Sequence, residues 1–246
     1  MCALMIGRKG SVGFPGKNIF PVLGRPLAAY PLLAAKSSSD VKRIFVSTDC
    51  PDIMEIAKEY DAELIVRPPK LASKEALGED VFVHGYYEIK RILKEQGFDI
   101  EFVVLLFANG ATLNGELIDK GVAILRQDES FDSAVTTSVY NMWSPLRARK
   151  LRKDGCLHPM IPFETFGDPD TLNCDRDSQG DVHFADMSVS VVRPQCLENL
   201  AEGLLPQKWM GQRIAPILNW GGCDVDYEWQ VPMVEFWLRK HGIQKT

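Results

Sequence analysis

The run Phe102-Val103-Val104-Leu105-Leu106-Phe107 decides the fold class of this chain. A continuous apolar run between polar turns predicts a strand that is buried on both faces, which is typical of a parallel sheet covered by helices. On either side of it, short apolar segments alternate with longer segments whose apolar residues have helical spacing. This alternation predicts a doubly wound α/β fold with three layers and a mostly parallel sheet.

The alternation also predicts where the elements lie. We expect strands at 3–6, 44–47, 63–66, 102–107, 133–139, 187–192 and 214–218. We expect helices at 26–36, 77–96, 114–125, 195–202 and 230–241, with a further helix around Pro51. Asn114 is expected to cap one of these helices, and Thr48 or Asp49 the helix that contains Pro51.

The segment 141–186 differs from the rest of the chain in composition and in the periodicity of its apolar residues. It has several prolines, polar clusters and little periodicity, which predicts an insertion built from short strands rather than core helices. The length of 246 residues then fits one α/β domain, 1–246, that carries this insertion.

Composition excludes several classes of function. The chain has 28 basic and 33 acidic residues, a formal net charge of −5, and no Lys/Arg block, which disfavours nucleic acid as a partner. No apolar run approaches the ~20 residues that a membrane helix needs, and no signal peptide is recognisable. The six cysteines lack a C-x-x-C pair, which favours reduced thiols and a cytoplasmic location.

The loop after the first predicted strand is rich in glycine and basic residues. It reads Gly7-Arg8-Lys9-Gly10-Ser11-Val12-Gly13-Phe14-Pro15-Gly16-Lys17-Asn18. Closely spaced glycines let backbone N–H groups approach a ligand, and the cations suit a polyphosphate. Neither the Walker A motif nor the dinucleotide G-x-G-x-x-G is present. A surface turn with solvated charges is the alternative interpretation.

Two further motifs carry charge near predicted strand ends. In Asp224-Val225-Asp226, two carboxylates one residue apart on an extended segment face the same way and suit a hard cation such as Mg²⁺. The alternative is a pair of helix-capping acids. Arg67, followed by Pro68, closes the third strand and either reaches into a ligand crevice or lies in an exposed turn.

Together these motifs resemble the acylneuraminate (CMP-sialic acid) cytidylyltransferase family, with this chain as a divergent member. The landmarks cover nearly the whole chain in the family's order. They are Arg8, Gly10, Ser11, Gly13, Lys17 and Asn18, the turn 24–27, the segment 47–49, Arg67-Pro68 with 71–73, and Asp224-Val225-Asp226 with Glu235.

The resemblance implies a Rossmann-like nucleotidyltransferase fold and transfer of CMP from CTP to the anomeric hydroxyl of a 2-keto sugar acid, with release of pyrophosphate. The sugar acid would be sialic acid or a related nonulosonate. Mg²⁺ would bind Asp224 and Asp226, and the insertion at 141–186 would join a homodimer and complete the partner's sugar site. The implied catalytic residues are Arg8, Lys17 and Asp226, and the implied nucleotide contacts are Arg8, Gly10, Ser11, Lys17, Asn18 and Arg67. Asn109, in a segment that departs from the family pattern, is expected to supply a replacement polar contact to the nucleotide.

Some positions depart from the family pattern. Val12 replaces a lysine, Phe107 replaces a glutamine of the nucleotide site and Leu113 replaces an arginine, while the segment 184–188 lacks the expected Asn-Gly. Two alternatives therefore stay open. The acceptor is a different sugar acid, such as 3-deoxy-manno-octulosonate, or the chain is a catalytically weak accessory protein that binds a nucleotide or nucleotide sugar.

Overall fold

Helices cover both faces of a seven-stranded sheet. The computed structural model describes residues 1–10, 13–73, 75–175 and 180–245. The strands are β1 (Cys2–Gly7), β2 (Pro21–Val22), β3 (Arg25–Pro26), β4 (Arg43–Thr48), β5 (Glu63–Val66), β6 (Val103–Phe107), β7 (Ser133–Val139), β8 (Arg149–Leu151), β9 (Leu157–Pro159), β10 (His183–Val192) and β11 (Ile214–Leu218). The helices are α1 (Ala29–Ser37), α2 (Pro51–Glu59), α3 (Gly78–Glu95), α4 (Gly115–Gln127), α5 (Pro194–Glu198) and α6 (Val231–Lys240). Within these described ranges, no helix is long and apolar enough to cross a membrane.

The sheet is mostly parallel, as predicted. Its strand order is β11-β7-β10-β6-β1-β4-β5. Strand β10 runs antiparallel to both of its neighbours, β6 and β7, and the remaining pairs are parallel. Strand β1 therefore lies between β6 and β4, and the carboxyl ends of these three strands open on the same edge of the sheet.

Strand β6 divides the interior into two cores. Val104 and Leu106 face a core that also contains buried residues of α1, α2, α4 and α6. Val103 and Leu105 face a second core, shared with α3 and α5. The prediction of a strand buried on both faces, and with it the three-layer fold class, is confirmed.

Two local predictions near the first helices are wrong. Helix α1 begins at Ala29 rather than at 26, because Arg25 and Pro26 pair with β2 in a tight hairpin turned by Gly24 at φ 87°. Neither Thr48 nor Asp49 caps α2, whose first turn follows Cys50 without a side-chain cap. Asp49 instead accepts a hydrogen bond from the backbone N–H of Lys9, at 2.9 Å.

The capping prediction for α4 is confirmed. The side chain of Asn114 accepts a hydrogen bond from the backbone N–H of Leu117, at 3.0 Å. This bond satisfies one of the free donors of the first turn.

The segment that leaves the sheet ends earlier than predicted. Strand β10 begins at His183, inside the predicted insertion 141–186, because residues 183–185 already pair with β7 before a bulge at which Met187 has φ 62°. The excursion segment is therefore 140–182. It contains the β8–β9 hairpin, and residues 176–179 of it lie outside the described ranges.

Candidate functional site

A cavity of about 360 Å³ opens where the carboxyl ends of β1 and β6 meet the loop after β5. This edge of a doubly wound sheet is where such folds bind ligands. Its wall has a polar side and an apolar side. The polar side is formed by Arg8, Lys17, Asn18, Arg67, Asn109 and Asp226. The apolar side is formed by Ile6, Leu71, Ala76, Gly78, Val81 and Phe107.

The glycine-rich loop brings basic groups to this cavity by folding back on itself. The side-chain amide of Asn18 donates to the backbone carbonyl of Arg8 at 3.4 Å, which ties the end of the loop to its start. Gly16, at φ 76°, precedes a 3-10 turn that places Lys17 at the wall. Gly13 packs so closely that a Cβ there would lie 2.9 Å from the backbone oxygen of Asp226.

Lys17 and Asp226 form an ion pair between the glycine-rich loop and the segment that precedes α6. Lys17 Nζ lies 2.5 Å from Asp226 Oδ1, although 209 residues separate them in sequence. The lysine side chain is 12% exposed and the aspartate side chain is 56% exposed. An ion pair with one partner this accessible contributes at most about 1 kcal/mol to stability, so it is better explained by the ligand that both groups can meet.

Asp224 lies behind the cavity wall and is held by Asn109. The Asn109 amide donates to Asp224 Oδ2 at 3.2 Å and to the backbone carbonyl of Val225 at 3.1 Å. Burial raises the pKa of Asp224, the charge of Asp226 raises it further, and Lys17 opposes the shift. The positive charge of Lys17 therefore does not fully offset the effect of burial and of Asp226 on Asp224.

The alternative that these acids cap a helix is not supported. The backbone N–H groups of Asp226 and Tyr227 donate to the side-chain oxygen of Gln230, at 2.7 and 2.8 Å. The Gln230 side chain thus caps the turn that precedes α6. The carboxylates of Asp224 and Asp226 are not needed for this cap and are available for another role.

The carboxylate pair fits a magnesium ion by its chemistry. Mg²⁺ usually binds one or two protein carboxylates and completes its coordination with substrate phosphates and waters. Asp224 and Asp226 supply such oxygens next to a cavity lined by phosphate-compatible cations. Among the described residues, no group of three or more His, Cys, Asp and Glu side chains is arranged to hold a metal by itself.

Arg67 is buried at the cavity wall, so the exposed-turn interpretation is wrong. Its Nη2 donates to the backbone carbonyls of Gly7, at 3.1 Å, and Ser47, at 2.5 Å, and its Nε donates to Ser47 Oγ at 3.3 Å. Burial lowers its pKa, yet a guanidinium stays protonated in proteins. A buried cation whose described bonds go to neutral oxygens favours a ligand that brings negative charge or acceptor atoms.

The structure brings most of the predicted site residues together and leaves one described residue, Gly10, apart from them. Arg8, Lys17, Asn18, Arg67, Asn109 and Asp226 line one cavity, and Asp224 contacts it through Asn109. Gly10 is exposed and is not part of the wall. Ser11, expected to contact the nucleotide, lies outside the described residues, as does Val12.

The departures from the family pattern fall in different places. Phe107 lines the cavity, whereas Leu113 is buried in the core with 2% exposure and cannot reach a ligand. Asp186, near the missing Asn-Gly, is also buried and accepts hydrogen bonds from Ser138 Oγ, at 2.7 Å, and the Asn219 amide, at 3.1 Å. Asp186 therefore holds the end of the sheet together and does not face the cavity.

The apolar side of the wall is what sequence reasoning missed. Ala76, Gly78 and Val81 belong to the start of α3 or the loop before it, which the sequence indicated only as an amphipathic helix. Ile6 and Phe107 could have been found, because residues at the carboxyl ends of central parallel strands face the ligand crevice.

A family model described as cytidylyltransferase matches residues 2–139, which contain β1 through β7 and most of the cavity wall. The chain belongs to the cytidylyltransferase family. Membership confirms the resemblance drawn from the sequence motifs.

Two curated relatives are similar to this chain over part of their length. The pseudaminic acid cytidylyltransferase and UDP-2,4-diacetamido-2,4,6-trideoxy-beta-L-altropyranose hydrolase of Helicobacter pylori is 26% identical over 150 residues, which cover 61% of this chain and 28% of that protein. The N-acylneuraminate cytidylyltransferase of Escherichia coli is 33% identical over 83 residues, 34% of this chain and 20% of that protein. The chain thus spans less than a third of the length of either relative.

Solved structures confirm the Rossmann-like fold over nearly all of the chain. The structure of CMP:2-keto-3-deoxy-manno-octonic acid synthetase complexed with CTP superposes with a TM-score of 0.65 at 14% identity and covers 98% of both chains. A 4-diphosphocytidyl-2C-methyl-D-erythritol synthase from Anaerococcus prevotii gives a TM-score of 0.58 at 12% identity, with 97% of this chain covered. At such low identity these likenesses establish the fold alone.

Proposed function

We propose that this protein transfers CMP from CTP to the anomeric hydroxyl of a 2-keto sugar acid of the nonulosonate class and releases pyrophosphate. The observation that carries the proposal is the polar side of the cavity. There Arg8, Lys17 and Arg67 converge with Asp226 at the carboxyl edge of the sheet of a cytidylyltransferase-family chain. The names of the curated relatives, which include pseudaminic acid and N-acylneuraminate cytidylyltransferases, favour a nonulosonate acceptor.

The proposed reaction exchanges one bond at phosphorus for another. The anomeric oxygen of the sugar forms a bond to the α-phosphorus of CTP, the bond to the bridging oxygen breaks, and pyrophosphate leaves with that oxygen. Arg8 and Lys17 would bind the phosphates and stabilise the charge that builds up on the transferred and leaving groups. Asp226 would accept the hydroxyl proton, which its exposure as the more accessible carboxylate of the pair supports.

We also propose that the reaction depends on Mg²⁺ held by Asp224 and Asp226. The ion would supply charge neutralisation and orientation of the phosphates. The protein's own part is to keep the two carboxylates in place, through Asn109 on Asp224 and Lys17 on Asp226.

We propose further that two copies of the chain associate through the excursion segment. Its hairpin presents Leu151 and Leu157, which pair across the strands and are 68% and 67% exposed. Met142, Trp143 and Met160 add exposed apolar surface in the same segment. Exposed apolar patches of this kind mark interaction surfaces.

The decisive experiment measures pyrophosphate release. Each of the four common nucleoside triphosphates is combined with Mg²⁺ and with a panel of 2-keto sugar acids that includes sialic, pseudaminic and 3-deoxy-manno-octulosonic acids. The proposal expects turnover with CTP and a nonulosonate, and loss of turnover when EDTA removes the metal.

The alternatives give different results in the same assay. Turnover with 3-deoxy-manno-octulosonate alone would move the acceptor outside the nonulosonates. CTP binding without turnover for any acceptor would favour an accessory nucleotide-binding protein. The cytoplasmic location expected from the cysteines stays a prediction, and localising a tagged protein by cell fractionation would test it.

A further inference from the structure

The segment that carries the two carboxylates pairs with the loop that follows β6. Gly110 and Asp224 form an antiparallel bridge. The backbone N–H of Val225 donates to the carbonyl of Asn109 at 3.0 Å, and the Asn109 side chain donates to the Val225 carbonyl at 3.1 Å. The backbone at and after Asp224 is therefore held by residues of this loop, much as a neighbouring strand would hold it.

Thr112, at the end of the same loop, holds the residue that precedes Asp224. Thr112 is fully buried, with 0% exposure. Its hydroxyl oxygen accepts a hydrogen bond from the backbone N–H of Cys223 at 2.9 Å and donates to the carbonyl of that residue at 3.2 Å. Ser188 Oγ lies 2.8 Å from the hydroxyl and can donate to it. One donated and two accepted bonds use the full capacity of a hydroxyl, so its orientation is fixed.

The contact between Thr112 and Ser188 joins two segments in which the chain departs from the family pattern. Thr112 lies in the segment 107–113, which departs at both ends, and Ser188 ends the segment 184–188, which lacks the Asn-Gly. Both residues are buried, and neither is part of the described cavity wall. Asn219 adds a tie, because its side-chain amide donates to the backbone carbonyl of Thr112 at 3.2 Å. These groups therefore act on the backbone next to the site and not on a ligand directly.

We propose that Thr112 is a positioning residue for the metal site, and this step rests on the proposed binding of Mg²⁺ by Asp224 and Asp226. By holding both polar backbone groups of Cys223, the Thr112 hydroxyl sets the direction in which the next residue presents its carboxylate. Mg²⁺ demands near-ideal octahedral geometry, so a small rotation of the chain at Cys223 would lower its affinity. Groups that orient metal ligands without touching the metal typically contribute about 10- to 100-fold to metal affinity.

Substitutions at two buried threonines separate positioning from stability. Thr112→Val removes the hydroxyl and keeps the shape of the side chain, whereas Thr112→Ser keeps the hydroxyl. The matched control is Thr136 on β7, which is also 0% exposed. Its hydroxyl accepts from the backbone N–H of Val189 at 2.9 Å and donates to the carbonyl of that residue at 3.3 Å. Thr136→Val therefore removes the same kind of bonds from β10 instead of from the carboxylate segment.

The measured quantity is the factor by which Mg²⁺ strengthens CTP binding. It is the dissociation constant of CTP in EDTA divided by that in Mg²⁺, both from isothermal titration calorimetry. By linkage, this factor reports how strongly the metal and CTP favour each other on the protein. Thr112→Val should lower it by about tenfold, or to one if the wild-type factor is below about ten. Thr112→Ser and Thr136→Val should keep the wild-type factor, although both valine variants should unfold at a lower temperature than wild type.

The outcomes distinguish the inference from the function on which it rests. Absence of CTP binding to the wild type under both conditions would overturn the proposed function, and a wild-type factor of one would overturn the proposed Mg²⁺ site. A larger factor that Thr112→Val leaves unchanged would overturn the inference alone. So would an equal loss in Thr112→Ser or Thr136→Val, since the effect would then not depend on the hydroxyl that holds Cys223. If the Thr112→Val protein does not fold, Thr112→Ala removes the same hydroxyl with a smaller side chain and should lower the factor in the same way.

Discussion

Charged side chains converge around the cavity, whereas in the excursion segment at 140–182 several large apolar side chains are exposed. Leu105 of β6 is 1% exposed, but Leu151 and Leu157 of the β8–β9 hairpin are 68% and 67% exposed. The family match ends at residue 139, the last residue of β7, where the excursion begins. The described part of the cavity wall comes from one chain, while the excursion presents exposed apolar side chains.

The difference separates chemistry from assembly. Charged groups that converge from distant parts of the chain, such as Lys17 and Asp226, are expected to act on a ligand. Exposed leucines on a two-stranded hairpin are expected to pack against another surface, since an isolated hairpin gains little stability of its own. Substitutions in each region should therefore change one property and leave the other unchanged.

The largest effect is expected for Asp226→Asn. Removal of this charge takes away a proposed metal ligand and the partner of Lys17, so the rate of pyrophosphate release should fall by roughly 100- to 1,000-fold. The fold should persist, because Asp226 is exposed and its backbone N–H still bonds to Gln230. Steady-state kinetics with circular dichroism as a folding check measures both.

Asp154→Asn in the excursion segment is the matched control. Its side chain is 58% exposed, close to the 56% of Asp226, and it lies in the hairpin turn. Its rate should equal that of wild type. A wild-type rate in Asp226→Asn would mean that Asp226 does not take part in the reaction. The expected difference between the cavity and the excursion segment would then be wrong.

The next effect concerns assembly. The double variant Leu151→Glu/Leu157→Glu places like charges on the proposed contact surface. Analytical ultracentrifugation should show a monomer for this variant and, as proposed, a dimer for the wild type. CTP affinity should change by less than about twofold, since surface substitutions away from a site are close to neutral. Leu205→Glu, at another leucine that is 80% exposed but outside the excursion, should remain dimeric. A monomeric wild-type protein would contradict the proposal that two copies associate through the excursion segment.

A smaller effect is expected for Gly13→Ala. The added methyl would lie 2.9 Å from the Asp226 backbone oxygen, so the loop must move away from the carboxylates. Overpacking of about 1–3 kcal/mol would weaken CTP binding by roughly tenfold. Gly155→Ala in the hairpin, where a Cβ meets nothing within 4 Å, should leave CTP affinity unchanged. Equal affinities for both variants and wild type would mean that the loop does not touch the nucleotide.

The smallest effect is expected for the stability of Asp224→Asn. Burial and the charge of Asp226 both disfavour the ionised form of Asp224. Neutralising this side chain should therefore not lower the free energy of unfolding, and should change it by less than about 1 kcal/mol. The extra thermal stabilisation that Mg²⁺ adds to CTP-bound protein should disappear. Thermal unfolding with CTP alone and with CTP plus Mg²⁺ compares the two. A variant that is markedly less stable without ligands would make Asp224 a structural residue.

Much of the fold followed from local pattern. The apolar run at 102–107 and the spacing of residues 77–96 predicted β6 and α3 nearly to the residue, because burial selects apolar side chains with the period of each element. The predictions were wrong where a side chain that suits a local role binds a distant segment of the chain instead. Asp49 suits a helix cap by type, but the glycine-rich loop provides a backbone N–H that it binds instead.

The sequence by itself determined which chemical groups this protein has and in which order, from the cations of the first loop to the carboxylates near the end. Only the tertiary structure decided which of them share a space. It placed Lys17 against Asp226 and Phe107 at the cavity wall, yet buried Leu113 and left Gly10 outside. The reason is physical: side-chain type and periodicity act over a few residues, whereas the meeting of groups 209 residues apart depends on how the packed strands and helices bring their ends together.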